Sequence, residues 1–487
     1  MSKHVVVIGA GLGGLSAAIR LAYRGFKVSV FEKNSAVGGK MREVVSDNGY
    51  RFDAGPTLIT MPFVFEELFE SVGRKLSDYA SLVPLESSCK YFFSDGSTFT
   101  AYCDLEKLRE EVARVFPTET ENFERYLRYA KRIYDATAEN FIYNPLSLSR
   151  LFRTNPFDLL KIDAFSTAHA ANARFFKDSR LTQFFDRFPT YVGSSPYLAP
   201  ATLNVIPFVE LAFGGYYVKG GIFQLAKAYQ RLAEELGAEF HFNRSVEKIL
   251  TANGKVSGAK LADGETISCD AIVSNDDAVH TYAHLLGDAK VEAKYEASCS
   301  GFVMCLGVAA THAQLEHHNI FFSSDYEKEF AEIFERRVMP SEPTIYVSIS
   351  AKSDDGQAPK GKENWFVLIN APYLSPDYDW EKNQAAYRHL VVRRLKSLGF
   401  SRLDEQIEFE RVITPVELKE KFNAFRGSIY GVSSNSRASA FLRPRNRGKV
   451  KGLYLASGSA HPGGGAPMVT LSGKFAAELL TQDFETR

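Results

Sequence analysis

A two-lobed α/β architecture, with a parallel sheet wrapped by helices beside a second α+β lobe, is the fold class this sequence predicts, on three observations. The chain has 487 residues, more than the roughly 250–300 at which a single hydrophobic core stops growing. Its first strand-like run, Val5 to Ile8, passes directly into a glycine turn and a helix former. A second glycine-rich strand-to-helix turn stands near the other end, so both termini return to one site and the lobes are discontinuous in sequence.

Val5 to Ile8 is β-branched throughout, the pattern of a strand buried on both faces. The turn Gly9-Ala10-Gly11-Leu12-Gly13-Gly14 follows, then a helix from Leu15, and a second strand, Lys27 to Phe31, ends at Glu32. This is the Rossmann-type dinucleotide-binding unit. Gly9 permits the tight bend, Gly11 lets backbone approach a pyrophosphate, and Gly14 lets helix and strand pack closely. Gly13 joins the same loop, and the acid roughly 20 residues on takes a ribose hydroxyl. Between the termini, the stretches from Ala238 to Ile249 and from Val256 to Ile267 read as a β-hairpin pattern with turns at Asn253-Gly254 and Asp263-Gly264. Ala271 to Asn275 returns to a buried strand, and Gly221 to Gly237 reads as an amphipathic helix. Residues 81–205 are helix-like with charged stretches. Residues 290–440 mix strands at Gly301 to Val308, Thr344 to Ser350 and Trp365 to Asn370 with a helix from Gln384 to Leu398. Gly452 to Gly458 is a strand, and the loop Ser459 to Pro467 precedes a helix from Met468 to Leu480.

Composition narrows the function. Hydrophobic residues at 45% and charged residues at 24% fit an ordinary globular chain. Equal numbers of basic and acidic residues, 58 each, give no net charge, which disfavours nucleic acid as a partner. Five scattered cysteines show no C-x-x-C pair, so buried thiols in a reducing cytoplasm are expected and metal is not. The apolar run at the start is too short for the apolar region of a signal peptide, so export is not expected. Adjacent His317 and His318 would point to opposite faces of a strand, which also argues against a metal site. No apolar run is long enough to span a bilayer. The segment Asn144 to Phe165, however, interleaves Leu146, Leu148, Leu151, Phe152, Phe157, Leu159, Leu160 and Ile162 with Arg150, Arg153 and Lys161, as a membrane-surface contact would. The expected location is therefore cytoplasmic and peripherally membrane-associated.

From Glu32 and Lys33 through Gly38, Gly39, Lys40, Met41 and Arg42, the sequence resembles the extended signature of the flavoprotein superfamily that includes amine oxidases, protoporphyrinogen oxidase, GDP-dissociation inhibitors and phytoene desaturases. The resemblance implies FAD rather than NAD. It places the Gly38-Gly39 loop near the diphosphate, with Lys40 and Arg42 supplying positive charge, Gly55, Pro56 and Thr57 where the chain passes the flavin, and Val246 at the adenine. The closing loop with Gly458, Gly464 and Gly465, and Met468 beyond it, would approach the flavin ring. Residues 1–80, 206–289 and 441–487 would then form the FAD-binding domain, and 81–205 and 290–440 the substrate lobe. No cysteine follows Cys305, so the flavin is expected to be noncovalent.

The runs Phe52 to Thr57, Tyr191 to Tyr197, Tyr217 to Gly221, Leu315 to Asn319, Gly427 to Gly431 and His461 to Gly465 are similar to the bacterial carotenoid desaturases and oxygenases. That resemblance implies dehydrogenation of a long acyclic carotenoid, phytoene or a hydroxylated carotenoid, or oxidation of a terminal methyl group, at a membrane surface, with quinone or oxygen as candidate electron acceptor. His461 points to a desaturase, as a catalytic base or as a support of the glycine loop. A terminal-methyl carotenoid oxygenase is the alternative, followed by an amine or porphyrinogen oxidase and a non-enzymatic prenyl-binding protein.

Overall fold

The computed structural model describes residues 2–146, 162–436 and 443–485. Five strands pair in parallel in the order Leu453–Leu455, Ala271–Ser274, His4–Ile8, Lys27–Phe31 and Glu239–His241. Because successive side chains on a strand point to opposite faces, Val5 and Val7 join the core of the helices Leu12–Tyr23, Phe223–Glu235 and Ala466–Glu485. Val6 and Ile8 pack instead on an antiparallel sheet of Val246–Ala252, Lys255–Leu261 and Thr266–Ser268. Each such burial is worth roughly 1.5–3 kcal/mol per side chain, which explains why the central strand is β-branched on both faces. The first and last helices cross where side chains are absent: a Cβ at Gly473 would lie 2.3 Å from the Gly13 carbonyl oxygen.

The second lobe is built on a seven-stranded sheet in the order Ile407–Ile413, Ser300–Val308, Glu363–Ala371, Ile345–Ser348, His318–Phe321, Ser87–Phe92 and Thr98–Tyr102. Only the pair His318–Phe321 with Ser87–Phe92 is parallel. One face carries Phe302, Met304, Trp365, Val367 and Val347 against the helix Trp380–Ser397. The opposite face, one strand position out of phase, is left for the cavity described below. Helices Thr120–Thr137 and Val205–Phe213 pack together over that face.

The sequence reading and the structure differ at three places. The region 81–205 contributes the two strands Ser87–Phe92 and Thr98–Tyr102 as well as helices; the strongly charged helix Leu105–Val115 beside them dominates the sequence pattern. Residues Glu239–His241 do not enter a hairpin but join the parallel sheet, and Asn243, at φ 55°, turns the chain towards the antiparallel one. The helix Val205–Phe213, assigned from sequence mostly to the cofactor half, packs on Thr120–Thr137 of the other. Most of the segment Asn144 to Phe165 lies outside the described residues. No helix among the described residues is long and apolar enough to cross a membrane.

Candidate active site

One cavity of about 610 Å³ runs from the glycine turns of the first lobe across the seven-stranded sheet of the second. Strand register determines its floor. Val303 pairs with Leu368, Leu368 with Tyr346, and Tyr346 with Ile320, so one row of side chains crosses the sheet. The flanking positions Gly301, Phe366 and His318 show the same face, and all seven line the cavity. From the strand Ser300–Val308 to the strand Ser87–Phe92, whose Cys89 also lines the space, there are four interstrand steps of about 4.8 Å, giving a floor about 19 Å long. Thr137, Ile142, Val205, Ile206 and Val209 close it from the helical side. The slot is long, narrow and largely apolar.

At the first-lobe end the residues fit a dinucleotide. Gly9 and Gly11 of the first turn line the space, as do Gly38 and Gly39 of the second loop, whose Gly38 amide donates to the Ala10 carbonyl at 2.8 Å. Glu32 holds the turn together: one carboxylate oxygen accepts from the Ala10 amide and the other from the Asn34 amide, each at 2.8 Å. Lys33 lines the site while its ammonium donates to Asn423 and to the Glu420 carbonyl. Lys40 is half-buried, donates to the carbonyls of Ser428 and Ile429, and is drawn down to about 8 by desolvation, against the pull of Asp277 and Asp276. Met41, Gly55, Pro56, Thr57, Val246, Gly458, Gly464, Gly465 and Met468 also lie in the wall. An added Cβ at Gly55 would sit 2.0 Å from the Lys40 carbonyl oxygen, so the two loops must touch backbone to backbone.

Four of the predicted site residues lie elsewhere. Gly13 and Gly14 are packing positions behind the turn: a Cβ would meet the Ala456 carbonyl oxygen at 2.1 Å or the Gly9 carbonyl oxygen at 2.3 Å. Arg42 turns outward to pair with Glu417 at 2.9 Å and to cover the Phe422 ring, so it does not supply charge to the cavity. His461 is the larger correction. Its side chain is fully buried behind the closing loop, with Phe141 edge-on and Phe475 stacked, and its Nε2 lies 2.9 Å from the Asn144 carbonyl oxygen. It is not part of the cavity wall. Burial pushes its pKa down to about 4. Of the two roles read from the sequence, this position fits support of the loop, and the catalytic base lacks the required geometry.

Several lining residues escape sequence reasoning because they become neighbours only through folding. Arg443, buried beside the closing loop, donates to the Gly458 carbonyl and to Ser434, and desolvation lowers it to about 10. Asn275 fills the space beneath Gly11 and donates to the Ala456 carbonyl. At the far end stand Arg187, Tyr191, His318, Tyr326 and Tyr346. His317 and His318 are separately engaged, with Ser353 and Tyr346 respectively. No group of three metal-ligating side chains occurs among the described residues.

The family model described as flavin containing amine oxidoreductase matches residues 12–481. The chain belongs to that family. Over 99% of this chain and 99% of the relative it is 36% identical to a 4,4'-diapolycopene oxygenase of Methylomonas sp.. It is 37% identical to a 1-hydroxycarotenoid 3,4-desaturase of Flavobacterium sp., over 98% and 99% of the two chains. It is also 37% identical to a 4,4'-diaponeurosporene oxygenase of Staphylococcus aureus, over 99% and 98%. Within the family it is thus of the bacterial carotenoid desaturase type. Solved structures share the fold: an oxidoreductase from Methanosarcina mazei (TM-score 0.64, 18% identity, covering 98% of this chain and all of that one) and putrescine oxidase with bound putrescine (TM-score 0.63, 14% identity, covering both chains fully). The chain is an FAD-dependent oxidoreductase, and the loops around Gly9, Gly38 and Gly464 form the cradle such a cofactor requires.

Proposed function

We propose that the protein dehydrogenates a long acyclic carotenoid, introducing C–C double bonds. The observation that carries this reading is the apolar floor of Val303, Leu368, Tyr346 and Ile320, which leads straight from the glycine loops. A flat, elongated hydrocarbon fits such a slot; a small amine would leave most of it unfilled. FAD supplies the hydride acceptor that an unactivated allylic C–C bond demands. The chain's own residues position and enclose. Gly9, Gly11, Gly38 and Gly39 would admit the diphosphate, and Val246 would meet the adenine. The cations Lys40 and Arg443 favour negative charge near the closing loop. The floor and the helix Val205–Phe213 exclude water and hold the chain of carbons in line. His461 keeps the closing loop in place and moves no proton. The 37% identity to a 1-hydroxycarotenoid 3,4-desaturase supports the reading.

The similarity to two oxygenases, at 36% and 37% identity, favours one second reading, oxidation of a terminal methyl group. Product mass separates the two: loss of hydrogen marks desaturation and gain of oxygen marks the alternative. Under either reading the substrate resides in lipid, and we assign the protein to the cytoplasmic membrane surface, where quinone or oxygen takes the electrons. Phe165, 71% exposed at the end of the segment Asn144 to Phe165, supports that contact.

A further inference from the structure

His461 stands outside the cavity, so the proton that dehydrogenation releases has to leave by another route. The loop Gly55-Pro56-Thr57 reaches the floor of the slot, where the Thr57 hydroxyl lies 2.5 Å from the Tyr346 hydroxyl and the latter lies 2.7 Å from His318 Nδ1. All three residues line the cavity. Register explains the second contact. Tyr346 pairs with Ile320, and His318, two positions before Ile320, is its diagonal neighbour on the same face, close enough for the two rings to stack at 5.9 Å. Thr57 and Tyr346 are half-buried, whereas His318 is 1% exposed. Two hydroxyls therefore connect the open space to a buried imidazole.

The carboxylates of the wall are occupied by N–H donors. Glu32 takes the Ala10 and Asn34 amides, Asp276 takes the Asp277 amide and the Asn423 side chain, and Asp277 takes the Val279 and His280 amides. His318 is free to accept: desolvation, with His317 and Arg187 adding to it, holds its pKa well below the ordinary 6.5, so the ring is neutral. Burial raises the Tyr346 hydroxyl above its ordinary value, so it stays protonated and hands a proton on rather than keeping a charge. With the ring proton on Nε2, Nδ1 accepts from Tyr346, Tyr346 accepts from Thr57, and the Thr57 lone pairs are left to accept in turn.

Dehydrogenation breaks two C–H bonds. One hydrogen leaves as hydride, the chemistry FAD supplies; the other leaves as a proton, and its electron pair becomes the new π bond. We propose that Thr57, Tyr346 and His318 form the relay that takes this proton. The Thr57 oxygen accepts it from carbon as the Thr57 hydroxyl proton passes to Tyr346 and the Tyr346 proton passes to His318 Nδ1, which leaves the imidazole cationic. His318 Nε2 has no partner among the described residues, so the proton returns through the same hydroxyls once the product has left. The inference rests on the dehydrogenation reading above and adds the path of the proton.

Flavin reduction by an acyclic polyene, followed without oxygen in H2O and in D2O, tests the relay on the flavin-loaded protein. The C–H hydrogens of the polyene do not exchange with solvent, so slowing in D2O reports exchangeable protons in motion, and the unmodified protein should be slower there. Tyr346→Phe and, separately, Thr57→Val keep the shape of the side chain and remove the hydroxyl. Each should slow reduction about 10²-fold or more and lose the dependence on D2O, while flavin content and polyene binding, read from the polyene's own absorption, stay as they were. Thr57→Ser restores the hydroxyl and should recover most of the rate, which a packing role for the methyl group would not allow. Reduction equally fast in H2O and D2O, or at the unmodified rate in both hydroxyl-deleted variants, overturns the relay and leaves the carotenoid reading intact. Should a variant lose its flavin, the D2O comparison on the unmodified protein decides. Failure of every polyene to reduce the flavin overturns both.

Discussion

Gly11 and His461 show how differently two motif residues read once the structure is known. Gly11 keeps the role its spacing suggests: it lines the cavity, and a Cβ there would come within 2.5 Å of the Asn275 side-chain oxygen. Gly11→Val should therefore be purified without flavin, checked by the ratio of visible to ultraviolet absorbance. Of the two roles its place in the motif suggests, His461 keeps the loop support and loses the base. Loss of a general base typically slows a reaction 10²–10⁴-fold, whereas His461→Gln should leave flavin reduction within a few-fold of the unmodified enzyme. Its effect should appear in stability instead. The folded-state pKa of about 4 lies below the ordinary 6.5, so the unfolded chain binds the extra proton between those values. Stability accordingly falls as pH drops through that window, by on the order of 3 kcal/mol for this residue. Denaturant midpoints measured from pH 7 to pH 4 should fall less steeply for His461→Gln, by up to one proton's worth of slope. The sequence left both roles open, because Phe141 and Asn144 reach the ring from a part of the chain more than 300 positions away.

Strands and turns were legible where a local pattern sufficed. The first turn, the Gly38-Gly39 loop and the closing loop all converge on one cavity from their own spacing. The cavity floor was not legible, because which residues share a row depends on register across strands separated by up to about 280 positions in the chain. Ser87–Phe92 reached the sheet only through parallel pairing with His318–Phe321, which no nearby turn announces. The central floor position gives an element-scale prediction. Leu368→Trp should retain flavin and fold, since it projects into open space, yet lose binding of a long polyene; unchanged binding would mean the substrate lies elsewhere. For the segment Asn144 to Phe165, Phe152→Asp combined with Phe157→Asp should abolish flotation with anionic liposomes and leave the flavin spectrum intact. Flotation equal to that of the unmodified protein would move the membrane contact to another surface.

At the scale of the whole molecule, three stretches of chain build the parallel sheet and its helices. The segments between them build a slot whose near end is the dinucleotide cradle and whose far end is lined by Arg187, Tyr191 and Tyr326. That both termini return to one site followed from the two glycine turns alone; the second sheet's order did not, being a product of long-range pairing. The same arrangement predicts that acid precipitation releases the yellow chromophore into the supernatant, since the closing loop contains no cysteine. The central claim is that a long acyclic carotenoid occupies this slot and gives up hydrogen there. Anaerobic mixing of the flavin-loaded protein with such polyenes tests it most directly. The account predicts bleaching of the flavin with a red shift of the carotenoid spectrum and a product lighter by two hydrogens. A flavin that stays oxidised with every polyene yet bleaches with an amine would contradict it.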